Sequence, residues 1–173
     1  MNALPPFQTL VDEHRSPVLA FLRGMVGPND AEDCLQETFL AALRAYPRAD
    51  ARNLRGWLYA IARNKAIDQH RARSSAPRPA GDAGALDGAA PQAAPRWLGG
   101  RDAEAAGRDT EIWHAVAALP EGQRAAVLLR FAVDLRYGEI GATLGCSEDA
   151  ARRRVADGLK TLRTTQATKE VAL

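Results

Sequence analysis

One stretch of the chain, from Asn53 to Arg73, combines residue types that suit nucleic-acid binding rather than covalent chemistry. Read as a helix, it predicts one face with a stripe of cations around an aromatic ring. The stripe consists of Arg55, Tyr59, Arg63, His70 and Arg73. Arginine binds phosphates, and an exposed aromatic ring stacks on an unstacked base. The alternative is an ordinary solvated face of an amphipathic helix.

The other side of this helix is apolar and is predicted to face a core. It carries Leu54, Leu58 and Ile61, with Trp57 at its edge. Trp57 is therefore interpreted as a core residue, whereas Tyr59 and Arg63 are expected to point outward and to bind. Lys65 and Asp68 lie on or near the inner side, where Lys65 can run its stem along apolar surface and Asp68 can satisfy a buried polar group.

An acidic segment precedes the basic one. Four acids and no base occupy residues 30–37, whereas residues 44–73 hold eight bases against two acids, within a total net charge of +2. A helix is predicted from Asn29-Asp30 to about Tyr46, ending before Pro47. Its core face comprises Leu35, Phe39, Ala42, Leu43 and Tyr46, and its opposite face comprises Asp33, Gln36, Glu37 and Leu40. That second face is either a protein-docking surface or plain solvent-facing helix.

The remaining segments complete two helical units. A first helix is predicted over residues 7–24, with Pro17 marking a kink or a junction. An Ala/Gly/Pro-rich tract without periodicity, residues 74–108, is predicted to be a flexible linker. Later helices are predicted from about Asp109 to Pro120 (Ile112, Val116 and Leu119 apolar), from Glu121 (Val127, Leu128 and Phe131 apolar), over Tyr137–Leu144, and from Ser147 to about Arg163. The turn at Gly145-Cys146 between the last two predicts a helix-turn-helix.

Several classes of protein are excluded by what the 173 residues do not contain. No run of about 18 apolar residues is present, and residues 1–7 do not resemble a signal peptide. Cys34 and Cys146 form neither a disulfide framework nor a metal motif, and His14, His70 and His114 share no metal spacing. With no nucleophile–base pair or phosphate loop, we expect a cytoplasmic, non-enzymatic protein without metal or cofactor.

Two pairs of segments carry a family resemblance. D-A-E-D-C-L-Q-E-T-F-L-A-A-L (30–43) and R-G-W-L-Y-A-I-A-R-N-K-A-I-D (55–68) resemble region 2 of bacterial sigma factors. L-P-E-G-Q-R-A-A-V-L-L-R-F (119–131) and L-R-Y-G-E-I-G-A-T-L-G-C-S (135–147) resemble region 4. Two such domains with a linker are similar to the extracytoplasmic-function (group IV) sigma factors. The resemblance implies an all-α chain of two small helical domains, 1–73 and 109–165, with linker 74–108 and tail 166–173.

The resemblance also implies partners and site residues. Core RNA polymerase would be bound through its clamp coiled coil by Asp33, Gln36, Glu37 and Leu40, and region 4 would lie at the flap. Promoter DNA would be melted and read at the upstream hexamer near the start site, and would therefore be partly single-stranded. It would contact Arg48, Arg52, Asn53, Arg55, Trp57, Tyr59, Arg63, Lys65, His70, Arg71 and Arg73. The distal promoter element would contact Arg136, Tyr137, Ser147, Asp149, Arg152, Arg153 and Arg154. Trp97 is the candidate anchor of the linker, and an anti-sigma factor is an expected partner.

The recognition helix departs from the family pattern. Asp149 and Asp157 lie four residues either side of Arg153 and are expected to hold it in intrahelical ion pairs. Glycines at 138, 141 and 158 each cost about 0.5–1 kcal/mol relative to alanine. We therefore expect weak or unusual binding of the distal element, with the acids able to read cytosine amino groups. Leu43 also departs, since tryptophan is common there.

The leading hypothesis is a dissociable promoter-specificity subunit of bacterial RNA polymerase. A stand-alone helix-turn-helix regulator of duplex DNA is the principal alternative, and an RNA-binding accessory protein is a third. The acidic face and the cation stripe favour the first hypothesis, because a regulator needs neither.

Overall fold

The computed structural model describes residues 4–74 and 113–171, with side-chain placement for 4–72 and 113–165. The chain divides into two compact units. All regular structure within the described ranges is helical and none is strand, which confirms the all-α prediction. Residues 75–112, which include nearly all of the predicted linker with Trp97 and also Ile112, lie outside the described residues.

The first unit consists of three helices that all pack against one another. These are α1 (Phe7–Val26), α2 (Pro28–Ala45) and α3 (Leu54–Ser74). Two 3₁₀ turns, Tyr46–Arg48 and Ala51–Asn53, connect α2 to α3. Its core includes Leu10, Val18, Phe21, Leu22, Leu35, Leu58 and Tyr59.

The first helix continues without interruption through Pro17, so of the two predicted alternatives, a kink or a junction between two shorter helices, the junction is wrong. The helix ends instead at Gly27, whose φ of 91° is open to glycine but strained for other residues. Pro28 then occupies the first turn of α2, where a missing backbone N–H costs nothing.

Small residues decide which side of α2 is buried. Ala31, Cys34 and Thr38 lie in the core beside Leu35 and Ala42. This direction turns Leu43, which was predicted to be a core residue, out to 51% exposure. The prediction for Leu43 is therefore wrong, because alanine, cysteine and threonine contribute little to a hydrophobic pattern yet allow helices to approach closely.

Small buried residues also decide which side of α3 faces the core, and that side differs from the predicted one. Ala62 and Ala66 are buried together with Leu58, Tyr59 and Arg63, whereas Leu54, Trp57 and Ile61 are only half-buried. Asp68, predicted on or near the inner side, is exposed. The predictions that Tyr59 and Arg63 point outward are wrong, because α1 and α2 both pack on α3 and bury a broad arc centred on the two alanines.

The second unit contains a described helical segment α4 (113–117), followed by α5 (Glu121–Phe131), α6 (Tyr137–Leu144) and α7 (Glu148–Val171). Helix α7 packs on both α5 and α6. The core contains Val116, Leu119, Val127, Leu128, Leu129, Leu135, Ile140 and Val155. Helix α7 runs past its predicted end near Arg163, since no glycine or proline follows to stop it.

Phe131 was predicted to belong to the apolar face of α5, and this prediction is wrong, because its side chain is 62% exposed. The helix ends at Phe131, and the chain turns through Asp134, which has a positive φ of 57°. Val133 and Leu135, on either side of that turn, fill the core in its place.

Two of the three glycines that were expected only to weaken the second unit allow close packing. A Cβ at Gly141 would lie 2.7 Å from the carbonyl oxygen of Cys146, in the turn that follows. A Cβ at Gly158 would lie 2.7 Å from Cγ2 of Val127 on α5. Their propensity cost is therefore offset by helix–turn and helix–helix contact.

Candidate docking and nucleic-acid surfaces

The acidic face of α2 is exposed as predicted. Asp33, Gln36, Glu37 and Leu40 all lie at the surface, and 47% of Leu40 is accessible. Leu43, one turn further along, adds a second exposed leucine that the sequence pattern had assigned to the core. We call Asp33, Gln36, Glu37, Leu40 and Leu43 the docking face; it combines negative charge with an apolar end.

The opposite face of α2 attaches the docking face to the bundle. Thr38 Oγ1 donates a hydrogen bond of 2.7 Å to the carbonyl oxygen of Cys34. Burial raises the pKa of the Cys34 thiol to about 11, with Lys65 opposing that shift. Cys34 is therefore an uncharged core residue rather than a nucleophile.

An ion pair links the docking face to α3. Lys65 Nζ lies 3.5 Å from Glu37 Oε2, and the Lys65 side chain is 33% exposed. The half-buried stem agrees with the prediction for Lys65. Glu37 and Lys65, which the family resemblance assigns to polymerase and DNA respectively, are thus in contact with each other.

An aromatic cluster of Phe7, Phe39, Tyr46 and Trp57 holds the 3₁₀ turns against the bundle. The ring of Phe7 packs edge-on against Tyr46 at 5.0 Å and against Phe39 at 6.5 Å, and Trp57 lies 6.2 Å from Tyr46. The Tyr46 hydroxyl donates to the carbonyl oxygen of Pro5 at 2.6 Å. The cluster joins the start of α1, the end of α2 and the start of α3, so it fixes the position of the half-buried Trp57 ring.

Three residues that were predicted to bind DNA lie in the turns between α2 and α3, and their side chains differ in their contacts. Arg48 is exposed. Arg52 is exposed but is held by both carboxylate oxygens of Asp50, at 3.1 Å for Nε–Oδ1 and Nη2–Oδ2. These hydrogen bonds lower the pKa of Asp50. Asn53 caps α3 as predicted, since its Oδ1 accepts a 3.2 Å hydrogen bond from the backbone N–H of Gly56.

The middle of the predicted cation stripe on α3 is buried. Tyr59 is fully inaccessible and packs edge-to-face on Phe21 at 5.5 Å, and its hydroxyl makes no hydrogen bond to a described residue. Burial raises the pKa of Tyr59 to about 12. Arg63 is 8% exposed. Neither side chain is presented to a ligand on the surface of this unit.

The ends of the stripe do reach solvent. Arg55 is exposed near the start of α3, and His70 and Arg71 are exposed near its end. The side chain of Arg73 lies outside the described residues. Ile61, which was predicted to face the core, and Asn64, for which no role was predicted, lie on the same outer side as Trp57. Their helical spacing from Trp57 was visible in the sequence, but the buried side of α3 had to be known first.

The helix-turn-helix forms as predicted. Gly145 adopts the left-handed conformation with φ 66° and ψ 37°, and Ser147 Oγ accepts a 3.2 Å hydrogen bond from the backbone N–H of Ala150. Arg136 is exposed at the start of α6, where its backbone N–H donates to Glu139 Oε2 at 2.8 Å. Tyr137 is half-buried, with the guanidinium groups of Arg130 and Arg152 over its ring at 5.5 and 5.3 Å.

The acids of α7 do not pair with Arg153, contrary to expectation. Arg152 takes Asp149 at 3.2 Å and Glu148 at 2.9 Å. Arg152 forms these ion pairs because two carboxylates of the first turn and the Tyr137 ring all lie next to its guanidinium. Arg153 projects away from α6. Within residues 113–165, Arg153 forms no ion pair and is exposed, as is Asp157.

The described ranges contain no helix long and apolar enough to span a bilayer. They also contain no group of three or more His, Cys, Asp or Glu side chains arranged for a metal ion.

Two family models match the chain, Sigma-70 region 2 over residues 10–76 and Sigma-70 region 4 over residues 109–162. The chain is 34% identical over 152 residues to a probable RNA polymerase sigma-C factor of Mycobacterium bovis, covering 86% of this chain and 77% of that protein. It is 35% identical over 144 residues to the ECF RNA polymerase sigma factor SigF of Caulobacter vibrioides, covering 82% and 74%.

Solved structures with the same fold include sigma factor RpoE in complex with the anti-sigma factor NepR from Bartonella quintana. It has a TM-score of 0.67 and 22% identity, over 91% of this chain and 94% of that one. CnrH in complex with the cytosolic domain of CnrY has a TM-score of 0.66 and 22% identity, over 94% and 88%.

Proposed function

The chain belongs to the extracytoplasmic-function (group IV) sigma factors of bacterial RNA polymerase, and on that premise we propose which of its surfaces carry each step. As a sigma factor it confers promoter recognition and strand opening on core RNA polymerase, so its partners are that enzyme and promoter DNA. The family is one of transcription initiation factors. The protein acts in the cytoplasm and has no catalytic activity of its own.

The docking face binds the clamp coiled coil of the largest polymerase subunit. Its exposed acids and two exposed leucines support this role, because charge steers the encounter and apolar contact supplies affinity. The ion pair between Glu37 and Lys65 holds the inner edge of this face against α3. Asp33, with no such contact among the described residues, is the acid whose charge is most available to a partner.

The outer side of α3 and the turns before it hold separated promoter strands. The observation that carries this assignment is the aromatic cluster, which holds the half-buried Trp57 ring against Tyr46, in the same 3₁₀ turn as the exposed Arg48. Taking a base out of the stack costs a few kcal/mol, and stacking on an aromatic ring returns about 1–3 kcal/mol. Trp57, with the charges of Arg48, Arg55 and Arg71 and the polar ring of His70, therefore suffices for opening without ATP.

Four residues named by the resemblance take supporting roles in this proposal. Tyr59 and Arg63 stabilise the bundle from within. Arg52 braces the turn through Asp50, and Asn53 caps α3 and thereby sets the helix start on which Trp57 depends. Base recognition at this surface consequently falls to fewer residues than the sequence pattern suggested.

The second unit binds the distal promoter element through its helix-turn-helix and contacts the polymerase flap. The division into domains at 1–73 and 109–165, with a linker through the polymerase anchored by Trp97, is part of the same proposal. The sigma factor RpoE from Bartonella quintana, which has this fold, has been solved with the anti-sigma factor NepR bound, and this supports an anti-sigma partner here as well.

Run-off transcription tests the assignment of the docking face. Core polymerase with this chain should yield promoter-specific transcripts, and Asp33→Arg combined with Glu37→Arg should abolish both transcription and co-purification with core. The matched control is Asp12→Arg with Glu13→Arg, which reverses two exposed acids on α1. Co-purification of the first variant at the level of the control would disprove the assignment. Tight binding to duplex DNA without any association with polymerase would favour the stand-alone regulator.

A further inference from the structure

The exposed surface of α2 extends beyond the docking face into two arginines. Arg44 lies in the last turn of α2 and Arg48 in the 3₁₀ turn that follows, and both are exposed. Arg44 follows Leu40 by four residues, so the two side chains leave the helix on the same side. The surface therefore runs from acids through leucines to cations. The other side of α2 packs on α1 and α3, which holds this surface outward.

The charges at the two ends of this surface are available to a partner. Asp33, Arg44 and Arg48 form no ion pair within residues 4–72. Glu37 pairs with Lys65 at 3.5 Å and is still exposed. Neighbours along α2 cannot neutralise the cations, because the residues four positions before and after Arg44 are a leucine and a second arginine.

Leu40 and Leu43 lie between the charged ends. They are one turn apart, and no other large apolar side chain within residues 4–72 is as exposed. Removing both from water is favourable, since burial of apolar surface contributes in proportion to its area. The most apolar part of the surface is thus near its middle, with opposite charges on either side.

This order of charges makes the surface complementary to itself. Asp33 and Arg44 are separated by about 16 Å along the helix, at 1.5 Å per residue. When two copies of α2 lie antiparallel with their leucines at the centre, Glu37 faces Arg44 of the second copy, and Asp33 faces its Arg48. A parallel pair would instead place acid against acid and arginine against arginine, which is repulsive.

We propose that the free chain forms a symmetric dimer in which the docking face, Arg44 and Arg48 contact the same surface of a second copy, with the two α2 helices antiparallel. A two-fold interface requires a self-complementary patch, and the charge order supplies one. One helix face buries little area, so the dimer is weak and depends on concentration. Under the proposed function the same face binds polymerase. The dimer therefore excludes polymerase and holds the chain in reserve, a consequence that rests on the proposed function, whereas self-association does not.

Sedimentation velocity of the full-length chain over a series of concentrations tests the dimer. Two variants give the charged residues of the surface a single sign. Asp33→Arg with Glu37→Arg makes them all cationic, and Arg44→Glu with Arg48→Glu makes them all acidic. Asp12→Arg with Glu13→Arg is the matched control, because it makes the same change of net charge as the cationic variant on the exposed side of α1.

The wild-type chain should shift from monomer to dimer with rising concentration, and added salt should weaken the association. Each single-sign variant should self-associate more weakly by on the order of 10-fold or more, because like charges meet across the two-fold axis. Mixed in equal amounts, the cationic and acidic variants should form a one-to-one dimer tighter than that of the wild type. The control should self-associate like the wild type and bind the acidic variant more weakly than the cationic variant does.

Leu43→Ala provides a variant that leaves every charge in place. It should weaken self-association by about 10-fold, since each dimer loses two buried leucine side chains. Its melting temperature should not fall, because Leu43 lies outside the core of the first unit. This variant also decides the question if a charge-reversed chain fails to fold.

A chain that stays monomeric up to its solubility limit would overturn the inference and leave polymerase as the occupant of this face. Folded single-sign variants that fail to associate with each other, or a Leu43→Ala variant that dimerises like the wild type, would also overturn it. Core RNA polymerase should convert the dimer into complexes with one chain, and a dimer bound to core would contradict the exclusion. Self-association without any binding to core would refute the proposed docking function and leave the dimer standing.

Discussion

Replacing Tyr59 with phenylalanine removes one oxygen atom from the centre of the first unit. The ring keeps its edge-to-face packing on Phe21 at 5.5 Å, so the apolar contact is preserved. The hydroxyl is inaccessible and has no hydrogen-bond partner among the described residues. A buried polar group left unsatisfied costs about 1–3 kcal/mol, so we expect Tyr59→Phe to stabilise the unit by about 1 kcal/mol or more.

The pH dependence of this effect has a defined sign. Burial raises the pKa of Tyr59 to about 12 in the folded chain, above the value of about 10 in an unfolded chain. The cost of the buried hydroxyl to the stability of the fold is therefore constant below about pH 10 and grows as pH rises from 10 towards 12, because only the unfolded chain ionises in that interval. The difference between Tyr59→Phe and the parent should widen over that interval.

Urea denaturation followed by the fluorescence of Trp57 isolates the first unit. The chain has three tryptophans, so Trp97→Phe and Trp113→Phe provide a background in which only Trp57 reports. Promoter opening measured in parallel should be unchanged by Tyr59→Phe and also by Tyr59→Leu, which would abolish stacking on a base. A loss of stability in Tyr59→Phe, or a loss of opening in Tyr59→Leu with the fold intact, would refute the burial argument.

Three further predictions concern other parts of the chain. Gly158→Ala should destabilise the second unit by about 1–3 kcal/mol in thermal denaturation, since its Cβ would lie 2.7 Å from Val127 Cγ2. Gly138→Ala, at an exposed site, should be neutral or stabilising by up to about 1 kcal/mol, and equal effects would contradict the packing role. Burial lowers the pKa of His14, so its contribution to stability is present above about pH 6.5 and is lost as pH falls below it. His14→Gln should flatten that part of the stability curve, and an identical curve would rule out His14 as the cause. Asp157→Asn should strengthen binding to promoter DNA across sequences and increase the salt dependence of the affinity by about one unit of slope; an unchanged slope would show that Asp157 does not face phosphate.

Features set by local chemistry were predictable from the chain alone. Asn53 caps α3, Gly145 takes the left-handed turn conformation, and Ser147 caps the recognition helix. Each depends on a side chain or backbone preference that acts within four residues, so no knowledge of neighbouring helices was needed. The exposure of Asp33 and Glu37 was predictable for a related reason, since carboxylate side chains are seldom fully buried.

The side of each helix that faces the core was harder to predict. In α2 and α3 the buried arcs contain Ala31, Ala62 and Ala66, which weigh little in a hydrophobic pattern. Larger residues such as Leu43 dominate that pattern and therefore indicate the wrong direction. A core built from close helix contacts can turn a leucine outward and a tyrosine inward.

The sequence by itself determined the helical segments, their caps and turns, the segregation of acidic from basic charge, and the family to which the chain belongs. Tertiary structure decided which of the arginines and aromatic rings remain available to a ligand. Tyr59 is inaccessible because two helices pack on α3. The guanidinium of Arg152, which pairs with Glu148 and Asp149, is also held over the Tyr137 ring that α6 supplies. The physical reason is that availability depends on neighbours distant in sequence, whereas helix formation depends mainly on neighbours within a few residues.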